Sequence, residues 1–280
     1  ILSFEELFLF VKTSIDSGIN KIRITGGEPT LREDLDAFLK MIHDYAPEVD
    51  LALTTNGFLM GRYAQRYADA GLKRINMSLD SLKEEVVNRI AKRDVYKDVI
   101  AGIEATKKAG LKIKLNSVPM QGINDMEILD LLEYSKKENI TIRYIEYMEN
   151  NYADQSIKGL KSSEILNIIR TRYEITKVKK DESSPAQYYA LPCGYEFGVI
   201  EPHQDDFCKS CNRIRLTAEG FLIPCLYFDE ALSIKEFVKK GDVKGAAKVL
   251  ETLLATKPEK NRWIGESDDI STRAFYETGG

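Results

Sequence analysis

The chain has 280 residues, of which 43% are hydrophobic and 30% charged, and its formal net charge at pH 7 is −4. A chain of this length can bury a full hydrophobic core, and four cysteines are too few for a disulfide scaffold, which indicates a reducing, cytoplasmic location. The acidic balance argues against a general nucleic-acid binder, and no apolar run is long enough to predict a membrane span.

Apolar periodicity alternates between helix and strand along the first half of the chain. It predicts helices at 3–17, 33–45, 61–70, 82–90, 95–109 and 126–138, and strands at 21–25, 50–54, 74–78, 112–118 and 141–148. Such alternation is typical of a parallel sheet with crossover helices. Three pairs with capping-box spacing are expected at helix starts: Ser3 with Glu6, Ser81 with Glu84 and, more loosely, Asn124 with Glu127.

The second half of the chain is less regular. A polar linker at 150–163 precedes a predicted helix at 164–172, short strands at 174–178, 187–191 and 197–200, a hairpin and two closing helices. We therefore expect two domains, at 1–149 and 150–280, the second being an α+β extension.

One face of several predicted strands is polar, although strands of a parallel sheet covered on both sides are expected to be almost continuously apolar. The residues that share this face are Lys21, Arg23 and Thr25, then Arg74, Asn76 and Ser78, then Lys112, Lys114 and Asn116. Arg74 and Lys112 are interpreted as solvated strand starts. Burying Arg23 or Lys114 in mid-strand without a counter-charge is costly. The pattern therefore predicts a polar cavity that holds an anionic ligand.

Three cysteines near the end of the chain have the spacing of a metal or iron–sulfur site. Two residues separate Cys208 from Cys211, and Cys225 follows a turn at 218–220 that is expected to fold a hairpin back. Thiolates arranged in this way suit zinc or iron. Three ligands leave one position open, as in a catalytic zinc site or a four-iron cluster with one free iron.

The surroundings of these cysteines add two further expectations. Arg213 and Arg215 share one face of a period-2 segment after Cys211, so two guanidiniums are expected beside whatever this cysteine binds. A closed structural zinc site, with His203 or Cys193 as a fourth ligand, is the alternative. The apolar stretch around Cys193 favours an inert, hydrophobic role for that thiol.

A glycine-rich turn and several other motifs carry a family resemblance. The turn Thr25-Gly26-Gly27-Glu28-Pro29 follows the first predicted strand, where two glycines let the backbone approach a ligand closely. The other motifs lie at 53–57 (LTTNG), 75–80 (INMSLD), 122–125 (GIND), 142–148 (IRYIEYM), 212–216 (NRIRL) and 279–280 (GG). With the cysteine triad they resemble the radical S-adenosylmethionine superfamily and, within it, the GTP 3′,8-cyclases of molybdenum cofactor biosynthesis.

The resemblance implies a partial (βα)6-type radical SAM barrel and a C-terminal α+β extension that carries a [4Fe–4S] cluster, with two ligands between them. S-adenosylmethionine would be bound by Gly26, Gly27, Glu28, Thr54, Ser78, Asn116 and Met148. GTP would be bound by Lys21, Arg23, Lys114, Arg143, Arg213 and Arg215, of which the last two are also the catalytic candidates. The cluster would be ligated by Cys208, Cys211 and Cys225, and the tail Gly279-Gly280 would enter the active site.

One motif of the family is missing from the sequence. A C-x-x-x-C-x-x-C loop, which would hold a second [4Fe–4S] cluster after the first barrel strand, does not occur. The chain as given is therefore expected to be inactive. Because it opens on a helix and the later motifs are intact, we expect that strand and loop to precede Ile1. A paralogue without this cluster is the alternative.

For the complete enzyme, the resemblance implies a lyase that converts GTP to (8S)-3′,8-cyclo-7,8-dihydroguanosine 5′-triphosphate, the first step of molybdopterin biosynthesis. Reductive cleavage of S-adenosylmethionine would give a 5′-deoxyadenosyl radical that removes the C3′ hydrogen, and C3′ would then attack guanine C8. The implied partners are a small electron-donor protein and the cyclic pyranopterin monophosphate synthase; a homodimer is left open, and no nucleic acid or membrane is expected. The alternatives are another radical SAM enzyme with an auxiliary cluster and a non-catalytic zinc- or nucleotide-binding paralogue.

Overall fold

Two sheets and nine α-helices form the part of the chain that the computed structural model describes, namely residues 1–148, 156–179, 184–202, 211–225 and 230–257. The strands are β1 (Lys21–Ile24), β2 (Asp50–Thr55), β3 (Arg74–Ser78), β4 (Lys112–Ser117), β5 (Thr141–Ile145), β6 (Thr176–Lys177), β7 (Ala186–Ala190), β8 (Glu196–Ile200), β9 (Arg215–Leu216), β10 (Phe221–Ile223) and β11 (Leu232–Ser233). The helices are α1 (Phe4–Asp16), α2 (Leu35–Tyr45), α3 (Met60–Asp69), α4 (Glu84–Ala91), α5 (Tyr96–Lys108), α6 (Ile128–Lys137), α7 (Ser162–Arg170), α8 (Lys235–Lys239) and α9 (Val243–Thr256).

The larger sheet has eight strands in the order β1-β2-β3-β4-β5-β8-β7-β6. Strands β1 to β5 are parallel to one another, and helices alternate with them along the chain. This arrangement confirms the predicted α/β class with a parallel sheet. The predicted strand 141–148 is shorter than expected, since β5 ends at Ile145.

Three strands from the second half of the chain extend the same sheet. Strand β8 pairs with β5 in parallel, β7 pairs with β8 antiparallel, and β6 completes the edge. The predicted domain boundary after residue 149 lies outside the described residues, and the division into two domains stays a prediction.

Helix α1 begins at the predicted capping box. The Ser3 hydroxyl accepts a hydrogen bond from the backbone N–H of Glu6 at 3.2 Å, and the Glu6 carboxylate accepts one from the backbone N–H of Ser3 at 2.7 Å. One set of side chains on this helix packs against the main core beneath the larger sheet. Phe10 packs instead in a second core with Leu222 and Leu250, between α9 and the three-stranded sheet β11-β10-β9. Helix α1 thus connects the small sheet to the large one.

Two of the three predicted capping boxes do not form. Helix α4 begins at Glu84 without a side-chain cap, and Asn124 does not cap the turn that follows it. Glu127 is instead buried, and its carboxylate accepts a hydrogen bond from the Ser81 hydroxyl at 2.8 Å. A tertiary contact between the segment after β3 and the turn before α6 therefore uses side chains that the local pattern assigned to helix caps.

The strand register brings the predicted polar residues together in rows across the sheet. One row begins with Arg23 and continues through Ala52 and Arg74 to Lys112. A second row, nearer the carboxyl ends, contains Ser78, Asn116, Arg143, Gly198 and Tyr188. The first row thus contains three cations, whereas in the second row Arg143 lies among neutral groups. None of the helices in the described ranges combines the length and apolar character needed to cross a bilayer.

Candidate active site

Arginine side chains converge on the polar face of the sheet around Arg23. Water reaches this residue, which is exposed, yet protein atoms surround its guanidinium closely enough for desolvation to lower its pKa to about 10. Four other guanidiniums lower that pKa further by charge repulsion: those of Arg143, Arg74, Arg213 and Arg215. The arginines of the large sheet and those after Cys211 therefore act on one another within a single site.

Arg143 is buried and is held by neutral acceptors. Its Nε donates to the amide oxygen of Asn116 at 2.9 Å, and its Nη2 donates to the amide oxygen of Asn76 at 2.8 Å. Burial lowers the pKa of Arg143, and this effect is opposed by the neighbouring Tyr188 hydroxyl. The guanidinium is thus oriented by two amide oxygens that do not cancel its charge.

Lys114 and Tyr188 form the next contact along this face. Lys114 Nζ donates to the Tyr188 hydroxyl at 2.9 Å and lies 5.3 Å from the centroid of the tyrosine ring. Among the described residues, none of the ion pairs involves Arg23, Lys114 or Arg143. Three partly or wholly desolvated cations without carboxylate partners are the chemistry of an anion-binding site.

The three cations at the strand beginnings differ from one another. Arg74 forms a bidentate pair with Asp50, with both N–O distances at 2.7 Å, and this pair lowers the pKa of the Asp50 carboxyl. The interpretation of Arg74 as a merely solvated strand start is therefore wrong. Lys112 is exposed, as expected. Lys21 is also exposed, and its charge adds to the lowering of the Asp50 pKa.

The glycine-rich turn after β1 is fixed by Glu28. Its Oε1 accepts hydrogen bonds from the hydroxyls of Thr30 and Thr55, and its Oε2 accepts one from the backbone N–H of Asn56 at 2.7 Å. Gly26 has φ of +148°, and no atom lies within 4 Å of the position that a β-carbon would take there. The turn therefore leaves an open, side-chain-free edge beside an anchored carboxylate.

The other residues predicted to bind S-adenosylmethionine lie on or just beyond the carboxyl ends of the strands. Gly27 and Ser78 are exposed, and Thr54 and Met148 are half-buried. Thr54 accepts a hydrogen bond from the Asn76 amide at 3.3 Å, and this amide also orients Arg143. The predicted cofactor residues and the predicted phosphate residues are therefore neighbours on the same sheet.

The cysteine hairpin forms as predicted, with β9 and β10 antiparallel and the turn closed at Gly220, where φ is +91°. Lys257 ties its two ends together by donating to Cys211 Sγ at 3.6 Å, to the Arg213 carbonyl at 2.9 Å and to the Pro224 carbonyl at 3.0 Å. Burial raises the pKa of the Cys211 thiol, but Arg213 and Lys257 outweigh it, so the net shift is downward.

These features fit a centre ligated by thiolates. Cys211 and Cys225 are both half-buried, and the ammonium at Cys211 also binds the carbonyl that directly precedes Cys225. Cationic groups beside a thiolate favour its ionised, metal-binding form. Cys208, His203 and the tail Gly279-Gly280 lie outside the described residues.

Cys193 does not have the buried environment that its apolar neighbours in the sequence suggested. It is exposed in the turn between β7 and β8, so the expected hydrophobic role is wrong. Three functional candidates were missed altogether. Asn76 was noted only as a polar strand residue, and Tyr188 and Gly198 lie in strands that were not expected to join the main sheet. One feature of the sequence could have pointed to Tyr188. Side chains alternate between the two faces of β7, so Tyr188 and Tyr189 lie on opposite faces.

Family models match both halves of the chain. A family model described as the radical SAM superfamily matches residues 1–135, and one described as Molybdenum Cofactor Synthesis C matches residues 140–263. Two solved structures have a similar fold. Native anSMEcpe with bound AdoMet has a TM-score of 0.63 at 16% identity, over 97% of this chain and 84% of that one. Streptococcus suis SuiB has a TM-score of 0.62 at 14% identity, over 84% and 57%. At such identities the likeness concerns the fold alone, which is that of the radical S-adenosylmethionine enzymes.

Curated relatives define the family more narrowly. A GTP 3′,8-cyclase of Sulfurimonas denitrificans is 60% identical over 280 residues, and one of Campylobacter curvus is 57% identical over 281 residues. One of Campylobacter jejuni is 54% identical over 280 residues, and each alignment covers 100% of this chain and 87% of the relative. The chain belongs to the GTP 3′,8-cyclase family.

Proposed function

We propose that this chain provides the GTP and S-adenosylmethionine sites of a radical SAM lyase that converts GTP to (8S)-3′,8-cyclo-7,8-dihydroguanosine 5′-triphosphate, the first step of molybdopterin biosynthesis. The observation that supports it best is that Arg23, Lys114 and Arg143 share the polar face of one sheet and take part in none of the ion pairs among the described residues, in a protein whose net charge is negative. Assembling like charges is unfavourable unless a polyanion compensates them.

The triphosphate is proposed to bind among Lys21, Arg23, Lys114 and Arg143. Arg143 contributes a guanidinium already fixed by two amide oxygens, so little of its rotational freedom remains to be lost on binding. Arg213 and Arg215 are proposed to contact the substrate from the hairpin side. Their charges lower the pKa of Arg23, so both guanidiniums lie close to the same anion. Phosphate contacts on several strands would fix the nucleotide in one orientation.

S-adenosylmethionine is proposed to bind at the carboxyl ends of the strands. The open edge at Gly26 and Gly27 would accept its methionine end, since backbone groups there are not covered by side chains. Glu28 would hold the turn in place through its contacts to Thr55 and Asn56. Thr54, Ser78, Asn116 and Met148 are proposed to complete this site.

A [4Fe–4S] cluster and S-adenosylmethionine are implied by the family; the location of a cluster on Cys208, Cys211 and Cys225 is our proposal. When bound, these groups supply the electron and radical chemistry, which protein side chains cannot provide. The chain itself fixes C3′ and the guanine by its phosphate contacts and keeps the cations partly desolvated. Arg213, half-buried beside Cys211, is proposed to stabilise charge on the cyclised guanine.

Calorimetry with GTP tests the substrate site. Replacing Arg23 or Lys114 with Ala should weaken GTP binding by about ten- to a hundredfold, since hydrogen bonds to charged groups contribute roughly 1.5 to 3 kcal/mol each. Lys112→Ala is the matched control, because this exposed lysine shares the polar face but is not assigned to the phosphates. Absence of GTP binding, or an equal loss in the control, would contradict the proposal.

Iron analysis tests the metal centre separately. After anaerobic reconstitution we expect a brown protein with about four irons per chain. Ala at Cys208, Cys211 or Cys225 should abolish iron binding, whereas Cys193→Ala should leave it unchanged because that thiol lies in a different turn. Stoichiometric zinc without iron would favour the structural-zinc alternative.

The remaining expectations are also proposals. A small electron-donor protein would supply electrons, the product would pass to a cyclic pyranopterin monophosphate synthase, and the enzyme would act in the cytoplasm. We also propose a homodimer, two domains divided after residue 149, and a second [4Fe–4S] cluster. Mass measurement in solution addresses the dimer, and limited proteolysis addresses the boundary.

A further inference from the structure

Tyr188 lies at the point where two of the proposed phosphate cations meet. It belongs to β7, which is separated from β5 by β8, and it faces Gly198 in the strand register. Gly198 in turn faces Arg143 on β5. The tyrosine therefore approaches Arg143 across a strand that has no side chain at this position.

The space above Gly198 is shared by Tyr188 and Arg143. A β-carbon on this glycine would lie 3.0 Å from Arg143 Cγ and 3.3 Å from Tyr188 Cε1, which is closer than most β-carbons come to any neighbour. The aliphatic part of the arginine and the edge of the tyrosine ring thus pack on the glycine backbone. This packing directs the tyrosine hydroxyl toward the cationic part of the site.

The tyrosine contacts one cation directly and packs beside the other. Its oxygen accepts a hydrogen bond from Lys114 Nζ at 2.9 Å, and its ring shares the space above Gly198 with the Arg143 side chain. A phenol oxygen has two lone pairs, so it can accept from a cation and still donate its own proton to an anion. Among the described residues, no acceptor for that proton is found.

We propose that Tyr188 is a positioning residue of the phosphate site: it holds Lys114 and Arg143 at a fixed separation and offers its O–H to a phosphate oxygen. This inference depends on the proposed function, since it concerns the same anion. Without the tyrosine oxygen, Lys114 would be free to move on its flexible stem, and two like charges would lose the neutral group between them.

The test uses Tyr188→Phe, which removes only the oxygen and keeps the ring on Gly198. We expect this variant to bind GTP and inorganic tripolyphosphate about tenfold more weakly, as for loss of one hydrogen bond to a charged group. Its affinity for guanosine and its melting temperature should not change. Tyr189→Phe is the matched control, because Tyr189 is the next residue of β7 and packs on the opposite face against Phe197.

A double-mutant cycle separates positioning from a merely additive contribution. Because Tyr188 acts partly through Lys114, the loss of tripolyphosphate affinity in the variant with both Tyr188→Phe and Lys114→Ala should be smaller than the sum of the two single losses. Three results would overturn the proposal for Tyr188: fully additive losses, an unchanged affinity in Tyr188→Phe, or an equal loss in Tyr189→Phe. None of them would contradict the proposed GTP site. Failure of the unmodified chain to bind either GTP or tripolyphosphate would overturn both.

Discussion

Arg143 and Asn76 are 67 residues apart, yet the guanidinium Nη2 of one donates to the amide oxygen of the other at 2.8 Å. They lie on β5 and β3, with β4 between them, and both are buried. An amide fixes the guanidinium without neutralising it, which is what an anion site requires. The choice of Asn over Asp at this position therefore decides whether Arg143 is available to a ligand.

Replacing Asn76 with Asp should separate stability from binding. The carboxylate keeps the hydrogen bond and pairs with Arg143, so the melting temperature should hold or rise. GTP affinity should fall about tenfold, because the guanidinium is then neutralised within the protein. Calorimetry and thermal unfolding check both parts. Asn167→Asp, which adds the same charge on the exposed surface of α7, should change neither; equal GTP affinity in Asn76→Asp would exclude a phosphate role for Arg143.

Replacing Gly198 with Ala should displace Arg143 and Tyr188 together. The added methyl group would press on both side chains and on Ala186, and such overpacking typically costs about 1 to 3 kcal/mol. We expect lower stability and weaker tripolyphosphate binding. Gly61→Ala is the control, because no atom lies within 4 Å of the new methyl group and Ala favours the helix there. A Gly198→Ala variant with normal binding would show that the packing does not govern the site.

Replacing Lys257 with Met should weaken the metal centre without removing a ligand. Methionine keeps the aliphatic stem but leaves Cys211 Sγ and the Pro224 carbonyl without their shared donor. We expect reconstituted protein to lose iron to a chelator several-fold faster, in line with the effects of residues that orient metal ligands. Lys248→Met, at an exposed position of α9, should match the unmodified chain. Identical release rates for both variants would contradict the assigned role of Lys257.

Asp80 should make stability depend on pH. Burial raises the pKa of its carboxyl from 3.8 to about 6, although a hydrogen bond from the Val118 N–H opposes this rise. Because the folded state binds the proton more tightly, the stabilising contribution is complete below about pH 4 and is lost as the pH rises through 6. Asp80→Asn cannot ionise, so it should gain up to roughly 3 kcal/mol over the unmodified chain between pH 4 and 7.

Urea unfolding at several pH values measures this difference. Asp98→Asn, on the exposed surface of α5, is the matched control and should show no such gain. A constant offset between Asp80→Asn and the unmodified chain across this range would show that Asp80 titrates normally.

The sequence predicted the parts of this site that depend on strand periodicity. Alternation along β1 and β4 assigned Arg23 and Lys114 to the polar face, because side chains of a strand alternate strictly between its two sides. The hairpin was predictable for a similar reason, since Gly220 follows a local turn pattern.

Contacts between distant strands were not predictable from local patterns. Tyr188 reaches Lys114 only because β8 joins β5 and β7 joins β8, and no local signal in the sequence specifies that pairing. The bond between Ser81 and Glu127 has the same origin: both residues suit helix caps locally, and their burial side by side is decided by the packing of the whole domain.

Calorimetry of the unmodified chain with GTP and with guanosine shows whether the cations around Arg23 bind the triphosphate, since guanosine keeps the base and ribose but has no phosphate. We expect GTP to bind at least about a hundredfold more tightly than guanosine, and added salt to reduce this ratio. Equal affinities for GTP and guanosine would contradict triphosphate binding at these cations.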